Sequence, residues 1–199
     1  PKYVNETAAG KPLYRGFGGA PKGSLLKRFA LPAQPANTGM MLHGDKFLAL
    51  GEGGRPWAMD PETLDTEGEY DFNGDLGKTF SAHAKKNPKT GVYYNFGMRF
   101  GMKPSFDFYK IAPSGKLVAQ AIFNLDHMPM LHDFALTENY AIFIQSSVSM
   151  SPNPLPVLLG GSIADAMLFD DRLCNKIIIT NISLQNFCYK IVLQNFRYK

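Results

Sequence analysis

Apolar positions gather in short runs separated by turn-forming residues, and the pattern is clearest between residues 124 and 144. Runs at 130–136 and 140–144 flank Thr137-Glu138-Asn139, a polar triplet suited to a hairpin turn. Alternation along a strand then places Met130, His132, Phe134 and Leu136 on one face and Asp133 on the other. Upstream, residues 40–43 and 47–50 read as strands around Gly44-Asp45, and 57–59 as a third. Residues 80–84 and 92–96 read as strands around Asn87-Pro88-Lys89-Thr90-Gly91, and 106–111 and 117–125 as a pair around Pro113-Ser114-Gly115. Asp60-Pro61-Glu62-Thr63 and Asn87-Pro88-Lys89-Thr90 share one turn chemistry: the first side chain bonds backbone two residues on, and proline presets the next φ. No convincing helical period intervenes. The fold expected is all-β and antiparallel, and pattern alone leaves sandwich and propeller both open.

The ends differ in texture. Residues 1–36, rich in Gly, Pro and Lys, read as a surface arm with at most a short strand and one apolar cluster at Leu25, Leu26 and Phe29. Gly16-Phe17-Gly18-Gly19 has neither the ending of a phosphate loop nor the spacing of a dinucleotide fingerprint. Residues 155–159 and 162–167 continue the body, the latter as a helical turn. Beyond 171 the chain changes again: residues 184–190 and 193–199 are near copies, too few for a repeat architecture. The layout expected is an arm at 1–36, a β body at 37–171 and a divergent tail at 172–199.

Hydrophobic content of 45% and charged content of 19% place the chain among globular proteins. No apolar run reaches membrane-spanning length, and the first residues lack the apolar core of a signal peptide, so the reading is not secreted and without a transmembrane segment. Cys174 and Cys188 are too few for a disulfide framework. The net charge of +4 suggests nucleic acid until its distribution is examined. Five basic and no acidic residues lie from Arg172 onward, leaving 16 basic against 17 acidic in the rest. The body carries no basic stripe, and no nucleic-acid partner is expected.

Candidate chemistry rests on four histidines, His43, His83, His127 and His132. On pattern alone His132 reads as a core histidine satisfied by a backbone carbonyl, and His43 as a solvated turn residue. The separation of 49 positions from His83 to His132 lies far outside local metal motifs, so only the fold could unite them. Residues 130–143, with Met130-Leu131-His132-Asp133-Phe134 at their start, resemble the second iron-histidine motif of the carotenoid cleavage oxygenases, non-heme iron enzymes that split polyene double bonds with O2. Residues 80–91 resemble that family's first iron-histidine segment, and residues 48–67 the strand and turn that precede it. The three matches come in order and are spread across about half the chain.

The resemblance implies part of a seven-bladed β-propeller, about three blades, with Fe(II) on its axis held by four histidines. Of these His83 and His132 fall in this sequence, with Glu52 as an acidic partner orienting a ligating imidazole; no residue is assigned a separate catalytic role. His127 matches no ligand position, and Asp133 is expected to cap backbone. Phe96, Phe100, Phe106 and Phe108 are expected in the core. The implied substrates are a carotenoid or apocarotenoid and O2, with carbonyl products, in a cytoplasmic or plastid-like compartment and with peripheral membrane contact to reach an apolar substrate. A fragment is expected, inactive alone because two ligands are missing. A two-histidine, one-carboxylate iron site using Glu52, and a non-catalytic propeller scaffold, are the alternatives.

Overall fold

A computed structural model of the chain describes residues 2–10, 36–77, 79–99, 103–153, 155–159, 161–170, 176–182 and 189–192. Among them fifteen strands form four antiparallel sheets. The first is a meander of β1 (Gly39–His43), β2 (Lys46–Leu50), β3 (Trp57–Met59) and β4 (Thr66–Glu69). Its opening register pairs His43 with Lys46, so Gly44-Asp45 is the two-residue turn, and Gly44 takes the φ of +62° that the turn demands. The second sheet is also a meander, of β5 (Lys85–Lys86), β6 (Tyr93–Arg99), β7 (Ser105–Ile111) and β8 (Leu117–Asn124). The two proline turns behave as their chemistry requires. Asp60 Oδ1 accepts from the N–H of Glu62 and of Thr63, each at 2.8 Å, and Asn87 Oδ1 from those of Lys89 and Thr90.

From residue 128 two sheets interleave along the chain. The strands are β9 (Met128–Pro129), β10 (Ala135–Leu136), β11 (Tyr140–Gln145), β12 (Val148–Met150), β13 (Met167–Phe169), β14 (Lys176–Asn181) and β15 (Tyr189–Val192). β13-β12-β9 make a three-stranded sheet and β10-β11-β14-β15 a four-stranded one. Three sheets therefore have four strands, the complement of a propeller blade.

The second sheet lies between two cores because its strands bury both faces. Along β7, Phe106 and Phe108 point one way, Asp107, Tyr109 and Ile111 the other, and all five are buried. Phe106 and Phe108 join Phe96, Phe123, Phe134, Phe143 and Ile178 in a largely aromatic core toward the fourth sheet. Tyr109 and Ile111 join Met41, Leu48, Leu50, Phe72 and Phe80 in a second core toward the first. Burying each such side chain contributes about 1.5–3 kcal/mol, so these two interfaces hold the sheets in fixed relation.

Several expectations change. Lys2–Ala9 is an α-helix, where at most a strand was expected; Ala8 and Ala9 favour it, and Gly10 at φ +62° closes it. Residues 11–35, with the glycine cluster and Leu25, Leu26 and Phe29, fall outside the described residues, as does Phe100. Residues 80–84 are irregular, strand pairing starting only at Lys85. The hairpin around Thr137 is present, but its first strand is Ala135–Leu136, and 131–134 form a loop. Leu131 and Phe134 are the buried pair there while Met130 and His132 are exposed, so the expected alternation fails. Lys176–Asn181, inside the segment read as a tail, is hydrogen-bonded between β11 and β15.

Candidate metal centre

Glu52 follows β2 in the turn Gly51-Glu52-Gly53-Gly54. The Gly54 carbonyl accepts from Phe80 N–H at 2.9 Å, which ties this turn to the irregular segment carrying His83. Burial pushes the Glu52 carboxyl above its ordinary range, against the pull of nearby His132 and a hydrogen bond from the Ala82 backbone.

The segment 79–83 is irregular yet anchored at nearly every residue. Ser81 N–H donates to the Phe96 carbonyl at 2.7 Å, and Thr79 Oγ1 donates to the Met98 carbonyl at 2.7 Å. The Asn95 amide donates to the Ser81 carbonyl at 2.7 Å from a fully buried position. Tyr109, whose hydroxyl burial holds above the ordinary tyrosine range, reaches the Thr79 carbonyl at 3.4 Å and Asp107 Oδ2 at 3.2 Å. Two glycines allow the close approach. A Cβ on Gly97 would stand 2.0 Å from the Thr79 carbonyl oxygen, and one on Gly39 2.1 Å from that of Ala82.

His132 rides on the loop that ends β9 and begins β10. Leu131 and Phe134 plug the aromatic core on either side of it, and the Phe134 ring stacks on Phe143 with centroids 5.1 Å apart. Asp133 closes the loop, its Oδ1 accepting from Phe134 N–H at 2.7 Å and pairing with Lys85 Nζ at 2.8 Å. The loop is thereby clamped to β5, two residues beyond His83.

These constraints bring Glu52, His83 and His132 together, one ligand atom from each lying within 4.8 Å of the others. The Nε2 atoms of His83 and His132 stand 2.9 Å apart. Metal–imidazole bonds of about 2.1 Å meeting at a right angle would separate two nitrogens by about 3.0 Å, whereas a tetrahedral angle would need about 3.4 Å. The separation is short enough for both nitrogens to hold one metal ion. Glu52 Oε1 lies 3.2 Å from His132 Nδ1, the nitrogen remote from the pair, and 3.8 Å from His83 Nε2. That Oε1 is buried and, among the described residues, has no hydrogen-bond partner; the His132 ring is the group it faces. A carboxylate facing the far nitrogen of a ligating imidazole selects the tautomer and raises its basicity. The donor set therefore fits a metal, and Glu52 fits an orienting role better than a ligating one. The His132 side chain is 64% exposed, so the imidazole pair opens outward, where further ligands would approach.

Other sequence candidates sort differently. His43 is buried at 6% exposure, not solvated: it packs edge-on against Tyr70 and Phe72 and hydrogen-bonds the Gly115 backbone. The hairpin turn placed it at a strand end, but the neighbouring aromatic rings were far away in sequence. His127 contacts Gln145. Neither belongs to the cluster. Two grooves, about 590 and 440 Å³, have no lining from Glu52, His83 or His132. The sequence reading missed Ser81 and Asn95; an asparagine inside the apolar run of β6 was the available signal.

The model of the retinal pigment epithelial membrane protein family matches residues 1–185. The apocarotenoid-15,15'-oxygenase of Synechocystis is 38% identical over 169 residues, covering 79% of this chain and 34% of that protein. Lignostilbene-α,β-dioxygenase isozyme III of Sphingomonas paucimobilis is 38% identical over 158 residues, covering 76% and 31%. The chain thus spans about a third of the length of these curated relatives. The solved cobalt-substituted Synechocystis enzyme superposes with a TM-score of 0.80 at 32% identity, covering 96% of this chain and 42% of that one, so the antiparallel all-β fold class is shared. No helix among the described residues is long and apolar enough to cross a membrane. With 185 of its 199 residues matched and 96% of the chain superposed on a solved relative, the chain belongs to the retinal pigment epithelial membrane protein family, the carotenoid oxygenases.

Proposed function

We propose that the complete protein is an Fe(II)-dependent oxygenase that adds the two atoms of O2 across a carbon–carbon double bond of a carotenoid or apocarotenoid, breaking it into two carbonyl groups. The observation that carries this reading is the convergence of two imidazole Nε2 atoms at 2.9 Å with a buried carboxylate oxygen behind one of them. His83 and His132 would hold the metal through Nε2, and Glu52 would fix the His132 tautomer by accepting from Nδ1–H. Iron, when bound, supplies the redox chemistry that lets O2 react with a closed-shell alkene. With Glu52 on the ring and off the ion, neutral imidazoles leave the metal cationic. The two-histidine, one-carboxylate site is disfavoured by the same geometry, since Glu52 Oε1 lies nearer His132 Nδ1 than His83 Nε2.

The sheets are proposed to be successive blades of a seven-bladed propeller, with 37–171 its partial body, 1–36 an arm, and 172–199 a tail whose strand Lys176–Asn181 joins the sheet of β10 and β11. Peripheral membrane contact is proposed for substrate capture, supported by the exposed apolar side chains of Leu155, Leu159, Leu168 and Phe169, the last 76% exposed. A plastid-like compartment is supported by plant relatives named chloroplastic, including a 9-cis-epoxycarotenoid dioxygenase of Oryza sativa, and a cytoplasmic one remains equally consistent. These 199 residues alone are proposed to be inactive, because among the described residues the group able to hold a metal offers two histidines and one carboxylate.

The test is O2-dependent bleaching of an apocarotenoid by the complete natural chain after anaerobic Fe(II) loading, with His132→Ala as control. Lignostilbene and isoeugenol are included as substrates, since relatives are named for them. Bleaching abolished in the control supports the proposal. Cleavage of the aryl alkenes alone would move the substrate class, and no turnover of any alkene by the iron-loaded chain would leave the scaffold reading.

A further inference from the structure

The two candidate ligands come from segments with no regular secondary structure, yet their imidazole nitrogens meet within 2.9 Å. Something must set that separation, because a strand ladder does not. The side chain placed between both backbones is Ser81, which is buried. Its Oγ accepts from the His83 backbone N–H at 3.2 Å and points its own hydrogen at the His132 backbone carbonyl, 3.5 Å away. One hydroxyl therefore faces the main chain of both ligand residues across 51 positions of sequence.

Ser81 is itself held from behind. Its N–H donates to Phe96 and its carbonyl accepts from the Asn95 amide, each at 2.7 Å, so both backbone groups are committed to adjacent residues of β6. Asn95 is fully buried, and its Oδ1 has no hydrogen-bond partner among the described residues. A buried amide that leaves one acceptor unsatisfied is destabilising, and an apolar residue there would avoid that cost. Position 95 faces the segment 79–83, and among the described residues the bond its side chain makes goes to Ser81.

We propose that Ser81, clamped by Asn95, is the positioning residue that fixes the separation of His83 and His132. The inference rests on the metal reading above. It assigns no contact with substrate or ion to either residue; both act through the backbone of the ligand segments. Removing the hydroxyl breaks the contact that joins the His83 N–H to the His132 carbonyl; the Lys85–Asp133 pair still holds the loop near β5, and the ligands lose their fine alignment without losing their imidazoles.

The experiment uses the complete natural chain and Co(II) alone as probe, read by its visible d–d absorption and by chelator competition for Kd. Ser81→Ala is expected to weaken Co(II) binding about 10–100-fold, as removal of groups behind metal ligands does, and to shift the absorption band. The metal-free melting midpoint should stay close to that of the unchanged protein. Ser81→Cys, which keeps the volume with a weaker donor and acceptor, should fall between them; it also keeps the test decisive if Ser81→Ala does not fold. Asn95→Asp, which removes the amide donor at constant size, should weaken binding in the same direction. A Kd and spectrum unchanged in the folded serine variants, while His132→Ala abolishes binding, would overturn the positioning role and leave the metal site standing. An unchanged protein that binds no Co(II) would overturn the metal reading and this inference with it.

Discussion

Replacing Phe143 with alanine should unseat His132 from a distance as well as destabilise the fold. Phe143 is completely buried at the centre of the aromatic core. Its ring lies 4.9 Å from Phe106, 5.1 Å from Phe134, 5.5 Å from Phe96 and 5.6 Å from Phe108, centroid to centroid. Truncating a buried phenylalanine costs about 3–5 kcal/mol, the lost transfer energy plus a cavity that rigid neighbours cannot fill. Four ring neighbours on three elements make collapse difficult, so the value should be near 4 kcal/mol. With a urea m-value of about 2 kcal/mol/M, the midpoint should fall by about 2 M. Phe143→Leu should cost only about 1–1.5 kcal/mol because most of the volume remains. The Phe134 ring that stacks on Phe143 anchors the His132 loop, so the alanine variant should also bind metal more weakly under conditions where it is folded. A loss below 1 kcal/mol, or an alanine variant no worse than the leucine one, would refute the packing account.

Gly97→Ala should cost about 3 kcal/mol, since its Cβ meets the Thr79 carbonyl oxygen at 2.0 Å; the loss is read by denaturant titration, and a neutral result would mean that segment 79–83 moves freely. His43 should contribute a pH dependence. Its pKa is lowered by burial, against the Gly115 backbone and Asp45, so the unfolded chain takes up the proton first. Stability is then full above the ordinary histidine value of about 6.5 and declines as pH falls below it. His43→Phe, which keeps the packing against Tyr70 and Phe72, should reduce the difference in unfolding free energy between pH 8 and pH 5 relative to the unchanged protein; an equal difference would contradict the buried neutral imidazole.

Local chemistry was legible in the sequence wherever it acts over a few residues. Gly44-Asp45, the Asp60 and Asn87 turns and the 105–124 hairpin follow from turn residues and short apolar runs, and the structure shows each of them. Around His132 the same reasoning failed. A period of two and a loop with buried residues three apart differ little over five positions, and what decides between them is the aromatic core waiting for Leu131 and Phe134. His43 failed for a similar reason, since Tyr70 and Phe72 close over it from another turn of the meander. The meeting of His83 with His132 was expected from resemblance, because nothing in a 49-residue gap specifies contact. Ser81 and Asn95 had no such guide: their partners are backbone atoms, which sequence does not mark.

The most direct measurement is anomalous diffraction at the iron edge from crystals of the complete natural chain loaded anaerobically with Fe(II). The account predicts one peak within about 2.0–2.2 Å of Nε2 of both His83 and His132, with Glu52 on Nδ1 of His132 and outside bonding distance of the ion. A peak that avoids either imidazole, or one bonded by Glu52 in place of a histidine, would contradict it.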